Sequence, residues 1–309
     1  MPKIYPVLQI GERLKNGIVK IEYLFYNKSI GQATMFFEIH QPPFPLSDFL
    51  DSLIYFEDMR PSHSLDRFLP DGNTELIIDL SDAPEHIHNN DTLEIVQSCR
   101  HAWVSGVRTR PITIPSGRES RKLVVIFKKG MARPFYPFPM NELTDSVVMA
   151  DLVFGRRILD VRERLISARS PQEMFQLVEL FLLKMAGDKL YENTKSNCVI
   201  YAVASMLRQP TLFNFKKLGE QIGYSQKHFI DLFKGQVGVP PKQYLKIARF
   251  QKAIKTIEKN QPIQWSGIAM DSGFYDQAHF INDFKAFSGF TPNEYIKRKA
   301  STLNYVPVD

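Results

Sequence analysis

Leu218-Gly-Glu-Gln-Ile-Gly-Tyr-Ser-Gln-Lys-His-Phe-Ile-Asp-Leu-Phe-Lys234 and Ile268-Ala-Met-Asp-Ser-Gly-Phe-Tyr-Asp-Gln-Ala-His-Phe-Ile-Asn-Asp-Phe-Lys285 are one helical hairpin written twice. Up to the turn the offset is 50, pairing Gly223 with Gly273 and Tyr224 with Phe274. After one inserted residue it is 51, and His228/His279, Phe229/Phe280, Ile230/Ile281, Phe233/Phe284, Lys234/Lys285, Gly238/Gly289, Pro241/Pro292, Tyr244/Tyr295 and Lys246/Lys297 coincide. Self-similarity of this length marks a duplicated structural unit. In each copy the small Gly219 or Ala269 lets two helices approach, and Gly223 or Gly273 can take the left-handed conformation that ends the first of them. The aromatic that follows is expected to plug the core. Ser225 and Asp276 then cap a second helix. Its buried stripe is Phe229, Leu232 and Phe233 in copy one, and Phe280 and Phe284 in copy two. At about 100° per residue the opposite face presents Lys227, Asp231 and Lys234, or Ala278, Asn282 and Lys285, with Ile230, Ile281 and Gln277 at the margin.

Such faces suit a major groove. Between the copies, Pro241 to about Lys259 reads as one helix, with Tyr244, Ile247, Ala248, Ala253, Ile254 and Ile257 as its apolar contacts. Its ~18 residues would span roughly 27 Å, comparable with the ~34 Å between successive major grooves on one side of B-DNA. One chain would then reach two adjacent major grooves of double-stranded DNA. Charge agrees with a polyanionic partner: residues 196–300 hold 15 Lys+Arg against 7 Asp+Glu, whereas residues 1–195 hold 24 against 25. Neutralising phosphates and releasing their counterions supplies most non-specific nucleic-acid affinity. Ser225, Lys234, Arg249 and Lys285 are the candidate phosphate contacts, although exposed lysines on a basic domain are also ordinary solvated residues.

The second copy, from Gly273 through Gly289-Phe-Thr-Pro-Asn-Glu-Tyr295, resembles the DNA-binding domain of the AraC/XylS family of bacterial regulators, and the resemblance covers residues 196–299. It implies an all-α double helix-turn-helix in which each copy lays its second helix in the major groove. Carried over residue by residue, the base-reading positions are Lys227, Ile230 and Asp231 in copy one, and Gln277, Ala278, Ile281 and Asn282 in copy two. Ile230 and Asp231 depart from the family, which often has longer polar or basic side chains there. Copy one is therefore expected to read cytosine amino groups or thymine methyls, or to contribute little.

Ahead of this unit the sequence changes character. Ile18–Phe25, Thr34–Ile39, Glu75–Leu80 and Lys122–Phe127 are β-type runs, separated by turn-forming clusters such as Pro70-Asp-Gly-Asn73 and His88-Asn-Asn-Asp91. Residues 1–140 are expected to form an antiparallel β barrel or sandwich of cupin-like type, and the resemblance to AraC-like regulators implies that this part holds a small-molecule effector. From Asn141 the period becomes helical, with Val147, Val148, Leu152, Ile158, Val161, Leu165 and Ile166 on one stripe. A second helix opens at Ser170-Pro171, where Glu173 can close a capping box. Residues 141–190 are thus a helical segment, read as a homodimerisation surface, though the same stripe would also serve for packing on its own β domain. Tyr191–Asn197 is a polar linker. Phe68–Ile78, Trp103–Gly106 and Val124–Phe135 resemble an N-terminal domain found in a subset of AraC-like proteins, which implies effector sensing or dimerisation.

The chain has 309 residues, enough for more than one domain, and the fold class expected is α+β, multidomain. Its start at Met1–Gly11 lacks a charged segment followed by an apolar run, and no stretch approaches the ~20 apolar residues of a membrane span, so a cytoplasmic location is expected. Cys99 and Cys198 are the only cysteines and are read as buried apolar residues. They cannot build the four-cysteine zinc centre of the alkyl-phosphotriester repair proteins that share this DNA-binding domain. His86, His88 and Glu94 resemble cupin metal ligands, but the glycine expected five residues upstream is missing, and Asn89-Asn-Asp91 reads as a solvated turn. No metal, cofactor or enzymatic activity is therefore expected; the alternative is a metal-dependent cupin-type enzyme fused to a DNA-binding domain. Arg108, Arg110, Arg118 and Arg121 could clamp an anionic effector or simply line a solvated sheet rim. RNA polymerase is a further partner in keeping with a transcriptional regulator.

Overall fold

A computed structural model describes residues 6–13, 18–27, 31–57, 61, 63–117, 120–191, 197–259, 263–299 and 304–308. In chain order the described strands are β1 (Pro6–Arg13), β2 (Ile18–Asn27), β3 (Gly31–His40), β4 (Leu50–Glu57), β5 (Leu65–Phe68), β6 (Glu75–Asp79), β7 (Glu85–His88), β8 (Ile95–Cys99), β9 (Ala102–Ser105), β10 (Ile112–Pro115), β11 (Arg121–Phe127), β12 (Val147–Met149) and β13 (Tyr305–Pro307). They form an eight-stranded sheet, β1-β2-β3-β4-β11-β6-β9-β12, and a five-stranded sheet, β13-β5-β10-β7-β8. Both stay open, so of the two expected β architectures the structure takes the sandwich-like one. Arg118 and most of the expected linker, residues 192–196, lie outside the described residues.

Register explains where the first core sits. Leu123 stands opposite Ile78 and Tyr55, and Val125 opposite Leu76 and Leu53. With a side-chain period of two, these residues fall on one face, and all are buried. Helices α1 (Ala150–Phe154), α2 (Arg157–Ile166) and α3 (Pro171–Ala186) cover that face with Phe154, Ile158, Leu165, Phe175, Val178 and Leu182. Arg162 anchors α2, its Nε donating to the Asp79 carbonyl at 2.6 Å and its Nη2 to Asp82 at 2.9 Å. The α3 cap differs slightly from expectation: Ser170 accepts from the Glu173 N–H, but the Glu173 carboxylate accepts from the Arg169 N–H, one residue ahead of the cap.

The helical period expected from Asn141 begins later. Met140–Leu143 is a 3-10 turn and Val147–Met149 is strand β12, paired with β9. The β-branched Val147 and Val148 pair with Ser105 and Val104, and that tertiary pairing prevails over the longer helical pattern.

Helices α4 (Asn197–Arg208), α5 (Phe215–Ile222), α6 (Gln226–Val237), α7 (Pro241–Lys259), α8 (Trp265–Asp271), α9 (Gln277–Ser288) and α10 (Pro292–Arg298) build a second core around Phe233, Phe250, Ile254, Phe280 and Phe284, to which Leu69, Val107 and Val306 also belong. This core is thus shared with loops that flank β5 and β9 and with strand β13. The seam carries polar links as well. Thr144 Oγ1 donates to the Gly238 carbonyl at 2.6 Å, Gln236 Nε2 to the Gly130 carbonyl at 3.1 Å, and the buried Gln251 Nε2 to the Pro70 carbonyl at 2.8 Å. Gly238 sits at φ +105, a backbone conformation that side-chain-bearing residues rarely adopt, packed against Met140, Thr144 and Val107.

Candidate nucleic-acid interface

Each hairpin turns as its residues dictate. In copy one, Gly223 is left-handed at φ 67 and closes α5. The Ser225 hydroxyl then accepts from the His228 N–H and starts α6. In copy two the Phe274 N–H bonds to the Ala269 carbonyl and the Gly273 N–H to the Met270 carbonyl, the paired bonds of a Schellman stop. Gly273 has φ +84, and a Cβ there would come within 3.0 Å of Thr211, so only glycine fits. Asp276 accepts from the His279 N–H and starts α9; its carboxylate also complements the positive end of that helix.

The two second helices bury the expected stripes. Phe229 and Phe233 of α6 and Phe280 and Phe284 of α9 are buried, with Leu232 half-buried. On the opposite faces Lys227, Asp231 and Lys234, and Gln277, Ala278, Asn282 and Lys285, are exposed, with Ile230 and Ile281 half-buried at the margins. Between them runs α7, 19 residues long and so about 28 Å from end to end. One contact ties α9 to it: Asp283 accepts from Lys246 Nζ at 3.2 Å and stands 3.3 Å from His279 Nε2 on its own helix. That gives His279 a packing role.

Three residues depart from the sequence expectation. Tyr224 does not plug the core as Phe274 does: it is 41% exposed against 5%, and stands edge-on to His228 at 4.9 Å. Arg249, a candidate phosphate contact, is half-buried and its Nε donates to the Pro210 carbonyl at 3.2 Å, with burial lowering its pKa; that nitrogen ties α7 to the end of α4. Tyr275 was not among the candidates, yet it is 91% exposed in the turn directly ahead of α9. It is the one-residue insertion that changes the offset between the copies, which was the available signal.

The residues that resemble cupin metal ligands do not converge. His86 Nδ1 lies 2.9 Å from Ser98 Oγ and His88 Nδ1 2.7 Å from the Leu93 carbonyl. Among the described residues no three His, Cys, Asp or Glu side chains are placed to hold one ion. Nor is any described helix long and apolar enough to cross a membrane.

Comparison with known proteins bears on both parts of the chain. Residues 218–298 match the model of a helix-turn-helix domain, and residues 38–149 that of a domain of unknown function, DUF6597. An uncharacterized HTH-type transcriptional regulator of Haemophilus influenzae is 29% identical over 97 residues, or 31% of this chain and 32% of that protein. The chain thus spans about a third of the length of the curated relative it matches. Among solved structures, ToxT of Vibrio cholerae is similar over 77% of this chain and 95% of that one, at 13% identity and a TM-score of 0.43. The C-terminal domain of AraT, a response regulator from Geobacillus stearothermophilus, is similar over 36% of this chain and 93% of that one, at 21% identity and a TM-score of 0.32. The chain therefore carries an AraC-type helix-turn-helix domain behind a DUF6597 domain, in line with its resemblance to the AraC/XylS family.

Proposed function

We propose that the protein is a sequence-specific DNA-binding transcriptional regulator that reads two adjacent major grooves with α6 and α9. One observation carries this reading: two capped helices, in hairpins joined by one connecting helix, each bury an aromatic stripe and leave a polar face exposed. Lys227, Ile230 and Asp231, with Gln277, Ala278, Ile281 and Asn282, are the base-reading residues. Ser225, Lys234 and Lys285 meet phosphate, and Arg249 can join them only through its outer nitrogens. The N-terminal part gates binding through a small molecule, and the seam of Thr144, Gln236 and Gln251 supports a route between the two. Exposed Leu152 and Leu180 on α1 and α3 support that helical layer as a homodimer surface. RNA polymerase is the partner a regulator of this kind would engage in the cytoplasm.

Selection of bound genomic fragments by the full-length protein, followed by footprinting, tests the reading. Enriched sites protected over two major-groove segments one helical turn apart are expected. Uniform recovery of fragments regardless of sequence would overturn it.

A further inference from the structure

Arg121, one of the arginines that could clamp an anion, lines a cleft of about 230 Å³ between the eight-stranded sheet and the corner that joins α2 to α3. Phe36 and Met174 give the cleft apolar walls, while Tyr55, Glu57, Arg121 and Arg169 give it polar ones. Most of the polar groups answer one another. Tyr55 donates to Glu57 Oε2 at 2.6 Å, Arg121 Nε donates to Tyr55 Oη at 3.0 Å, and Arg121 stands 3.7 Å from Glu57. Burial, with the bond to Glu57, pushes the Tyr55 phenol up to about 12, so it keeps its proton and remains a donor. Arg169 is different: its guanidinium has no ion pair or hydrogen bond among the described residues. Among the described residues that line the cleft, two guanidiniums face one carboxylate.

We propose that this cleft binds a compact organic monoanion, its hydrocarbon body between Phe36 and Met174 and its carboxylate on Arg169 and the outer edge of Arg121. The inference rests on the effector-gated reading and supplies it with a site and a ligand class. The volume lies below the ~300–1,000 Å³ of sites for drug-sized molecules, so the ligand is smaller than those. Charge-assisted and bidentate contacts explain why a carboxylate is favoured over a neutral isostere. A route onward is present in the chain: the Arg169 N–H is bonded to Glu173 at 2.8 Å in the first turn of α3, and α3 touches the Arg133–Phe135 turn, which α6 also touches. A ligand that draws Arg169 into the cleft pulls on that corner.

The experiment titrates full-length protein with hexanoate, phenylacetate, hexanol and hexylamine, reading affinity by calorimetry and DNA binding in parallel. Both carboxylates are expected to bind at least roughly tenfold more tightly than the alcohol or the amine. Arg169→Gln should lose that advantage and Arg169→Lys should keep most of it. Glu57→Gln, which removes the competing negative charge, should tighten carboxylate binding. Equal affinity for all four probes, no carboxylate binding up to about 10 mM, or an Arg169→Gln protein that binds like the wild type would each overturn the site. Carboxylate binding with the expected variant pattern upholds the site even where DNA affinity does not respond, an outcome that removes only the gating reading.

Discussion

The two hairpins descend from one sequence pattern but end in different company. In copy two, the end of α9 is capped by its own residues, Ser288 Oγ donating to the Phe284 carbonyl and Thr291 with Glu294 forming a complete capping box that opens α10, while the Arg67 guanidinium of β5 lies 4.6 Å over the Phe290 ring. In copy one, α6 ends on the other half of the molecule, with Gln236 on Gly130, Gly238 under Thr144, and Val237 in a core shared with Val107. Both copies thus meet the β-rich half, copy one through hydrogen bonds at the end of α6 and copy two through the Arg67 guanidinium stacked past the end of α9. Divergence between repeats is greatest where their surroundings differ, which is also where regulation has something to act on.

Core truncation should show the largest effect and should not distinguish the copies. Phe233 and Phe284 are both fully buried, so alanine at either is expected to cost about 3–5 kcal/mol, read by urea denaturation. A much cheaper Phe233→Ala would mean that copy one draws its stability chiefly from the seam. Base readout comes next and should separate them. Asn282→Ala and Gln277→Ala are expected to lose about 1–3 kcal/mol on the selected site and less on random DNA, while Asp231→Ala should change affinity little or improve it. Larger specific losses in copy one would reverse the ranking of the two readers.

Acidity probes the seam. Burial, then Asp71, raise the Glu75 carboxyl to about 8, against the lowering influence of Lys129 and Arg108. A carboxyl whose pKa is raised by folding favours the folded state while protonated, so its contribution is full below about 4.5 and is lost as pH rises towards 8. Urea midpoints should therefore fall over that window in the wild type and fall less in Glu75→Gln; parallel curves would remove Glu75 from the explanation. The smallest effect is at a single hydrogen bond. Thr144→Val should cost about 1 kcal/mol and alter the contribution of Lys227 to DNA affinity more than that of Asn282, as measured by double-mutant cycles.

What the sequence made legible was whatever local chemistry decides. The bounds of α7, the caps at Ser225 and Asp276, the left-handed Gly223 and the exposed faces of α6 and α9 all follow from residues within one turn of the feature. Features set by distant partners were not legible. Val147–Met149 is a strand because Trp103–Ser105 lies beside it, and Arg249 turns inward because the Pro210 carbonyl is there to meet it. The cleft at Arg121 needs residues from four separate stretches of chain, so its arginine could be flagged while its purpose could not. Tyr224 and Phe274 show the limit most plainly: aligned aromatics in aligned turns, one exposed and one buried.

Strand β13 has a consequence for how the molecule assembles. Tyr305 pairs with Phe68 and Val306 with Arg67, contacts that close a loop of chain holding most of the first core and all of helices α4–α10. Long closures of this kind form slowly, because the ordering cost precedes the contact that offsets it. Until the helices have folded and brought Tyr305–Pro307 back, β5 is an open edge and Leu69 lacks its neighbour Val306. A fragment confined to residues 196–300 would leave that partner surface, Leu69 and Val107 behind. The seam is in this sense the last joint to close and the first to open, so amides along β5 are expected to exchange with solvent sooner than those along β11.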